Sequence, residues 1–279
     1  MRGHGTGTGR GIRGIAIAAC AALVLSSACA EEKLPLPRDG RTVVQERGGK
    51  RVLVSMGLVM GEVWDGREKS LYSQGNEELI IQDFFQGKTH GSFLDVGAAN
   101  ATARSTTYYL ENHRAWSGIA IDALSEYAAD YAKVRPRTRF LSYIVTDHSG
   151  TRQKFYRVHA APSLSSTSEA REWDGVKLPA KARNVPTITL DELLEREQVA
   201  RIDFLSMDIE GGEAKALAGF DIERYRPELV CIEVAPEHDV VVESYFSERG
   251  YARIEKYRKY DHVNRYYTPL PREPDGTHD

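Results

Sequence analysis

The run Phe93-Leu94-Asp95-Val96-Gly97-Ala98-Ala99-Asn100, followed downstream by Gly118-Ile119-Ala120-Ile121-Asp122, restricts this chain to one broad class of fold. Each run is short, apolar and ends near a carboxylate. Between them lies enough chain for one tight turn and one helix. Strand, turn, helix and second strand make half of a nucleotide-binding α/β domain. Gly97, Ala98 and Ala99 have little or no side chain, so the backbone of the turn can come close to a ligand.

The alternation continues along the chain. Apolar periodicity predicts helices over 74–85, 105–113, 125–134, 212–218 and 240–249. Strands are expected at 92–96, 118–121, 139–145, 202–207, 228–234, 251–257 and 264–270. Residues 187–195 start extended and turn helical, and 151–158 reads as an extra extended segment. Elements that alternate in this way imply parallel strands joined by right-handed crossovers. The last two strands are separated only by 258–263, which makes them antiparallel neighbours. Residues 159–184 form a long polar stretch with no period, the pattern of a functional lid or of a disordered segment. The organisation expected is a leader over 1–30, a linker and arm over 31–71, an α/β domain over 72–270 and a polar tail over 271–279.

The first turn also restricts the ligand. Dinucleotide sites carry G-x-G-x-x-G and seat a pyrophosphate at the helix start. Here only Gly97 of that set is present, and the carboxylate of Asp95 at the mouth repels phosphate. A nucleoside with a positive group fits better. S-adenosylmethionine is such a molecule: its ammonium can pair with Asp95 and its ribose with Asp122, which lies 122 − 95 = 27 positions on. The cofactor-binding set is therefore Asp95, Gly97, Ala98, Ala99, Asn100 and Asp122.

A second cluster closes the strand at 202–207 with Asp208-Ile209-Glu210-Gly211-Gly212-Glu213. In open α/β sheets the ligand lies outside the carboxyl ends of the strands, where Asp95, Asp122, Asp208 and Glu233 all fall. Asp208 is the first candidate for a catalytic base or substrate orienter, and Glu210 the second. Glu210 and Glu213 also suit the start of a helix, where the macrodipole favours acids. Two acids can contribute to a Mg²⁺ site, but the spacing fixes no third ligand, so no metal is expected. His90 and His238 are the histidines best placed for catalysis.

Arg2, Arg10 and Arg13 precede an apolar run at 14–25, and Ala28-Cys29-Ala30 follows. That is a secretory signal pattern with cleavage after Ala30. The run is shorter than the roughly 20 residues that span a bilayer. Cys29 allows a second reading, lipidation, and a misassigned start codon is a third, which would leave the protein in the cytoplasm. Without the leader the charge is 34 − 40 = −6, because its three arginines leave and no acid does. No basic cluster points to nucleic acid. Cys231 alone remains, so there is no disulfide framework.

Taken together, these motifs resemble the FkbM-type S-adenosylmethionine-dependent methyltransferases. The likeness runs through Tyr72-Ser73-Gln74, Gly91-Ser92-Phe93-Leu94-Asp95-Val96-Gly97-Ala98, Trp116-Ser117-Gly118-Ile119 and Thr187-Ile188-Thr189-Leu190-Asp191. It continues through Ile202–Gly211 to Arg226-Pro227-Glu228-Leu229-Val230-Cys231-Ile232-Glu233. The resemblance implies a Rossmann-like α/β fold with a seven-stranded sheet, mostly parallel with an antiparallel last strand. It also implies methyl transfer to a hydroxyl of a sugar, glycan or secondary metabolite. The family pattern reads D-V-G-A-N-D-G, and here Ala99, Asn100 and Ala101 hold the last three places. Alanine in place of glycine at Ala101 is expected to strain the turn if φ is positive there. The second strand ends in Asp122-Ala123 where the family has Glu-Pro. The alternative reading is an exported, non-catalytic module that keeps the fold and holds a glycan on its acidic rim.

Overall fold

Seven strands with buried faces assemble into one sheet because their apolar residues have no other place to go. The computed structural model describes residues 42–55, 58–64, 71–158, 165–169, 172–173, 176–177 and 179–272. The expected leader and most of the polar tail lie outside them. The main sheet contains β1 (Ser92–Val96), β2 (Ser117–Ile121), β3 (Thr138–Leu141), β4 (Phe204–Met207), β5 (Leu229–Glu233), β6 (Tyr251–Arg253) and β7 (Asn264–Pro269). Their order is β6-β7-β5-β4-β1-β2-β3. Only β7 runs antiparallel to its neighbours. The fold is thus the expected α/β Rossmann-like sheet.

The chain builds β1, β2 and β3 outward in one direction, then returns to lay β4 against the other side of β1. The switch point between β1 and β4 opens a crevice at the carboxyl ends of both strands. The β1–β4 register sets Asp95 opposite Ser206 and Val96 opposite Met207. On β1, Leu94 and Val96 face one core with Ile119, Ile121, Leu205 and Met207, and Phe93 faces the other with Phe204 and Trp116. The two-residue period of a strand puts Asp95 on the Phe93 side.

Helices α1 (Glu77–Phe85) and α2 (Tyr108–Arg114) supply the second core, through Ile80, Ile81, Tyr109 and Leu110. Next come α3 (Ala128–Val134) and α4 (Leu190–Arg196). The Thr189 hydroxyl caps α4 by accepting from the Glu192 N–H. The remaining helices are α5 (Glu213–Ala218), α6 (Ile222–Tyr225) and α7 (Asp239–Glu248).

The sheet differs from expectation at three places. The segment expected as one strand over 139–145 is split into β3 and Ile144–Val145, which joins a second sheet. The long loop expected over 159–184 is in part structured. Ala180–Ile188 is a strand, antiparallel to Arg152–Val158 and parallel to Ile144–Val145. The segment expected as one strand over 251–257 stops at Arg253, and a 3₁₀ turn, Glu255–Tyr257, follows.

Within the stretch expected as linker and arm, Thr42–Arg47, Lys50–Ser55 and Leu58–Glu62 form an antiparallel three-stranded sheet. The Glu62 N–H donates to the Lys259 carbonyl (2.8 Å), and Asn76 Nδ2 donates to the carbonyls of Glu62 (2.8 Å) and Tyr260 (2.7 Å). Among the described residues, no helix is long and apolar enough to cross a membrane.

Candidate active site

The crevice at the switch point is a cavity of about 350 Å³, and the eight residues expected at the site all line it. Asp95, Gly97, Ala98, Ala99 and Asn100 come from the end of β1 and its turn, Asp122 from the end of β2, and Asp208 and Glu210 from the end of β4.

Gly97 has φ +85°, and a Cβ there would lie 1.7 Å from the Asp208 carbonyl oxygen. Glycine is required because the ends of β1 and β4 touch at this point. That reason differs from the ligand approach expected from sequence. The N–H groups of Gly97 and Ala98 both donate to the Ile121 carbonyl, at 2.8 and 3.0 Å. They bind the turn to β2 and form no cradle for phosphate.

Ala99 has φ +44° and Ala101 does not have a positive φ. The strain expected at Ala101 therefore sits two residues earlier. Ala101 is 1% exposed and packs with Ala98, Ala120 and Tyr131. Asn100 folds the turn: its Oδ1 accepts from the N–H groups of Thr102 (3.0 Å) and Ala103 (2.9 Å).

Asp122 ties two turns together. One oxygen accepts from the Ala99 N–H (3.0 Å) and the other from the Leu124 N–H (2.7 Å). Burial nevertheless pushes its carboxyl up to about 6. Each oxygen retains a second lone pair that a hydroxyl can use.

Asp95 is 4% exposed and accepts from the Thr107 hydroxyl at 2.6 Å. Burial raises its carboxyl to about 6, while Thr107 and the charge of Arg135 pull it back down.

Across the crevice, the Asp208 N–H donates to the Val96 carbonyl (2.9 Å), and the next turn follows. Glu210 there has φ +57° and Gly211 φ +93°. Glu213, 1% exposed at the start of α5, holds this turn: its Oε1 accepts from the N–H groups of Ile209 (2.9 Å) and Gly211 (3.3 Å). Its role in the fold is structural.

Strand β5 adds Glu233, whose carboxyl is pushed far up, first by the Asp208 charge and then by burial. A hydrogen bond with Asp208 raises it further. Ligand oxygens of Asp208, Glu210 and Glu233 lie within 4.8 Å of one another, a spacing a divalent cation can bridge. Spacing within one segment did not reveal this third carboxylate, because β5 delivers it.

Several lining residues escaped the sequence reading: Gln74, Arg104, Tyr127, Tyr143 and Phe155. The three aromatics give the cavity an apolar wall, and Phe155 comes from the second sheet. Glu77, at the start of α1, is a further buried acid near the site. Burial and then the Asp261 charge raise it to about 7, and Asp208 adds to the rise. Neither expected histidine lines the cavity. His90 is exposed and precedes β1 at its amino end, and His238 lies in the 3₁₀ turn after β5.

Residues 95–253 match the methyltransferase FkbM domain. No curated protein matches the chain. Among solved structures, a TehB-like SAM-dependent methyltransferase from Corynebacterium glutamicum is similar at 11% identity and a TM-score of 0.39, covering 70% of this chain and 88% of that one.

Proposed function

The chain belongs to the FkbM methyltransferase domain family, and on that premise we propose that it is an S-adenosylmethionine-dependent O-methyltransferase acting on a hydroxyl of a sugar, glycan or secondary metabolite. One observation carries the reading: a buried carboxylate, Asp95, and a half-buried one, Asp122, line the same cavity as Asp208. The donor set suits the cofactor. The cavity is rich in carboxylates that attract a cation, and the turn's first N–H groups are committed to β2 instead of to an anion.

When bound, S-adenosylmethionine supplies a methyl group on a positively charged sulfur that is already a good leaving group. The protein's task is then mainly alignment. Asp95 takes the ammonium, and Thr107 fixes the rotamer of its carboxylate. Asp122 accepts from the ribose hydroxyls while it holds the first turn. A sugar hydroxyl is a weak nucleophile, so a base beside it helps. Asp208 takes that proton or holds the hydroxyl in line. Glu233, whose neutral form this environment favours, limits the charge repulsion around Asp208. The aromatic wall of Tyr127, Tyr143 and Phe155 excludes water from the cofactor.

Calorimetry with S-adenosylhomocysteine on the purified chain tests the cofactor, and transfer of a labelled methyl into a panel of polyols tests the acceptor class. Absence of binding would remove the reading. Binding without transfer to any hydroxyl compound would remove the O-methyl assignment.

A further inference from the structure

Arg104 is the one cation that lines the cavity among the described residues, and it shares the cavity wall with Asp95, Asp122, Asp208 and Glu210. Its backbone is left-handed, φ +59°, a conformation uncommon for a long side chain and one that clusters at ligand sites. Its guanidinium donates to the side-chain oxygen of Gln74, which also lines the cavity. That bond joins the segment before α1 to the turn after β1 and holds the guanidinium at the wall.

We propose that Arg104 binds the carboxylate at the amino-acid end of the cofactor, so that the site reads both charges of that zwitterion. The proposal rests on the cofactor reading above. A carboxylate that enters this cavity meets repulsion from four acids. The turn's backbone offers it little: the N–H groups of Gly97 and Ala98 go to Ile121, that of Ala99 to Asp122, and those of Thr102 and Ala103 to Asn100. A guanidinium supplies what they do not, a planar fork of donors that matches a carboxylate. Asp95 then takes the ammonium on the neighbouring atom. The pair discriminates the intact amino acid from fragments that lack either charge.

Calorimetry on the full chain with three ligands tests this: S-adenosylhomocysteine, its decarboxylated analogue and 5′-methylthioadenosine, which lacks the amino-acid end. Arg104→Ala should weaken S-adenosylhomocysteine by about 10–100-fold, the loss of a charge-assisted pair. The other two ligands should stay within about twofold. Arg104→Gly, which relieves the left-handed backbone, should give the same pattern, and Arg104→Lys should recover part of the affinity. Unchanged S-adenosylhomocysteine affinity in a chain that still binds it would overturn the proposal. So would an equal loss for all three ligands in both Arg104→Ala and Arg104→Gly. Failure of the unaltered chain to bind any of them would overturn the cofactor reading, and this assignment with it.

Discussion

The Thr107 hydroxyl donates to Asp95 across 2.6 Å, and Arg135 donates to the same hydroxyl at 3.1 Å. Arg135 is itself buried and paired with Glu111. A buried ion pair thus orients the carboxylate at the end of β1 through one hydroxyl. Arg135 also donates to the Ala101 carbonyl at 3.0 Å, so the same guanidinium fixes the turn.

Asp95 should be worth more to binding than to stability. Its carboxyl sits at about 6 in the folded chain against an ordinary 3.8. The folded state therefore holds this proton more tightly than the unfolded one. The stability this contributes is fully present below 3.8 and is lost as pH rises through about 6. Asp95→Asn removes the ionisable group. It should raise stability at pH 7.5 by about 1–3 kcal/mol and leave it nearly unchanged at pH 4, while S-adenosylhomocysteine affinity falls. Denaturant unfolding at the two pH values, beside calorimetry, measures both. A variant less stable at pH 7.5 would show that the charge is held favourably after all.

Thr107→Val gives the complementary test. Without its donor, Asp95 rises further, so the midpoint of the pH dependence of cofactor binding should move upward from about 6. An unmoved midpoint would mean that Thr107 has no part in holding the ionised carboxylate.

The glycine and alanines of the turn separate cleanly. Gly97→Ala drives a Cβ to 1.7 Å from the backbone oxygen of Asp208, which cannot swing away. A loss of about 2–4 kcal/mol is expected. Ala99→Gly relieves a positive φ and should gain about 0.5–1 kcal/mol. Ala101→Gly removes a packed methyl, costs about 1 kcal/mol and should leave cofactor affinity unchanged. Thermal melts order the three variants. A stabilised Ala101→Gly would return the strain to the position where the family pattern suggests it.

Much of this site was legible because it is local. The run from Phe93 to Asn100 carries a strand, a turn and a carboxylate within eight residues, and alternation alone puts Asp95 on the face opposite Leu94. The β4 acids were legible for the same reason. What was not legible depends on pairing between distant segments. Glu233 was expected at the same rim, but its direct pairing with Asp208 follows only from β5 lying beside β4 in register, Met207 opposite Ile232. Arg104 meets Gln74 only once α1 is docked. The strand Ala180–Ile188 was hidden by its own composition. Lys181, Arg183 and Asn184 leave most of it exposed, Pro186 argues against a central strand, and only Val185, Thr187 and Ile188 are buried.

Two substitutions separate the roles of Asp208 and Glu233. The Asp208 carboxylate beside Glu233, and then its own burial, favour the neutral form of Glu233. Glutamine mimics that neutral, hydrogen-bond-donating state, so Glu233→Gln should keep methyl transfer within about threefold. Asp208→Asn keeps shape but cannot take a proton. Transfer should fall by about 10²–10⁴-fold, the usual contribution of a positioned acid or base, with cofactor affinity little changed. Its melting temperature should not fall, since removing the Asp208 charge relieves the repulsion felt by Glu77, Glu213 and Glu233. Single-turnover rates and melts on the same preparations decide the matter. If Asp208→Asn melts lower and turns over at the unaltered rate, Asp208 is a structural tie between β4 and β5, and the base must be sought elsewhere, with Glu210 first.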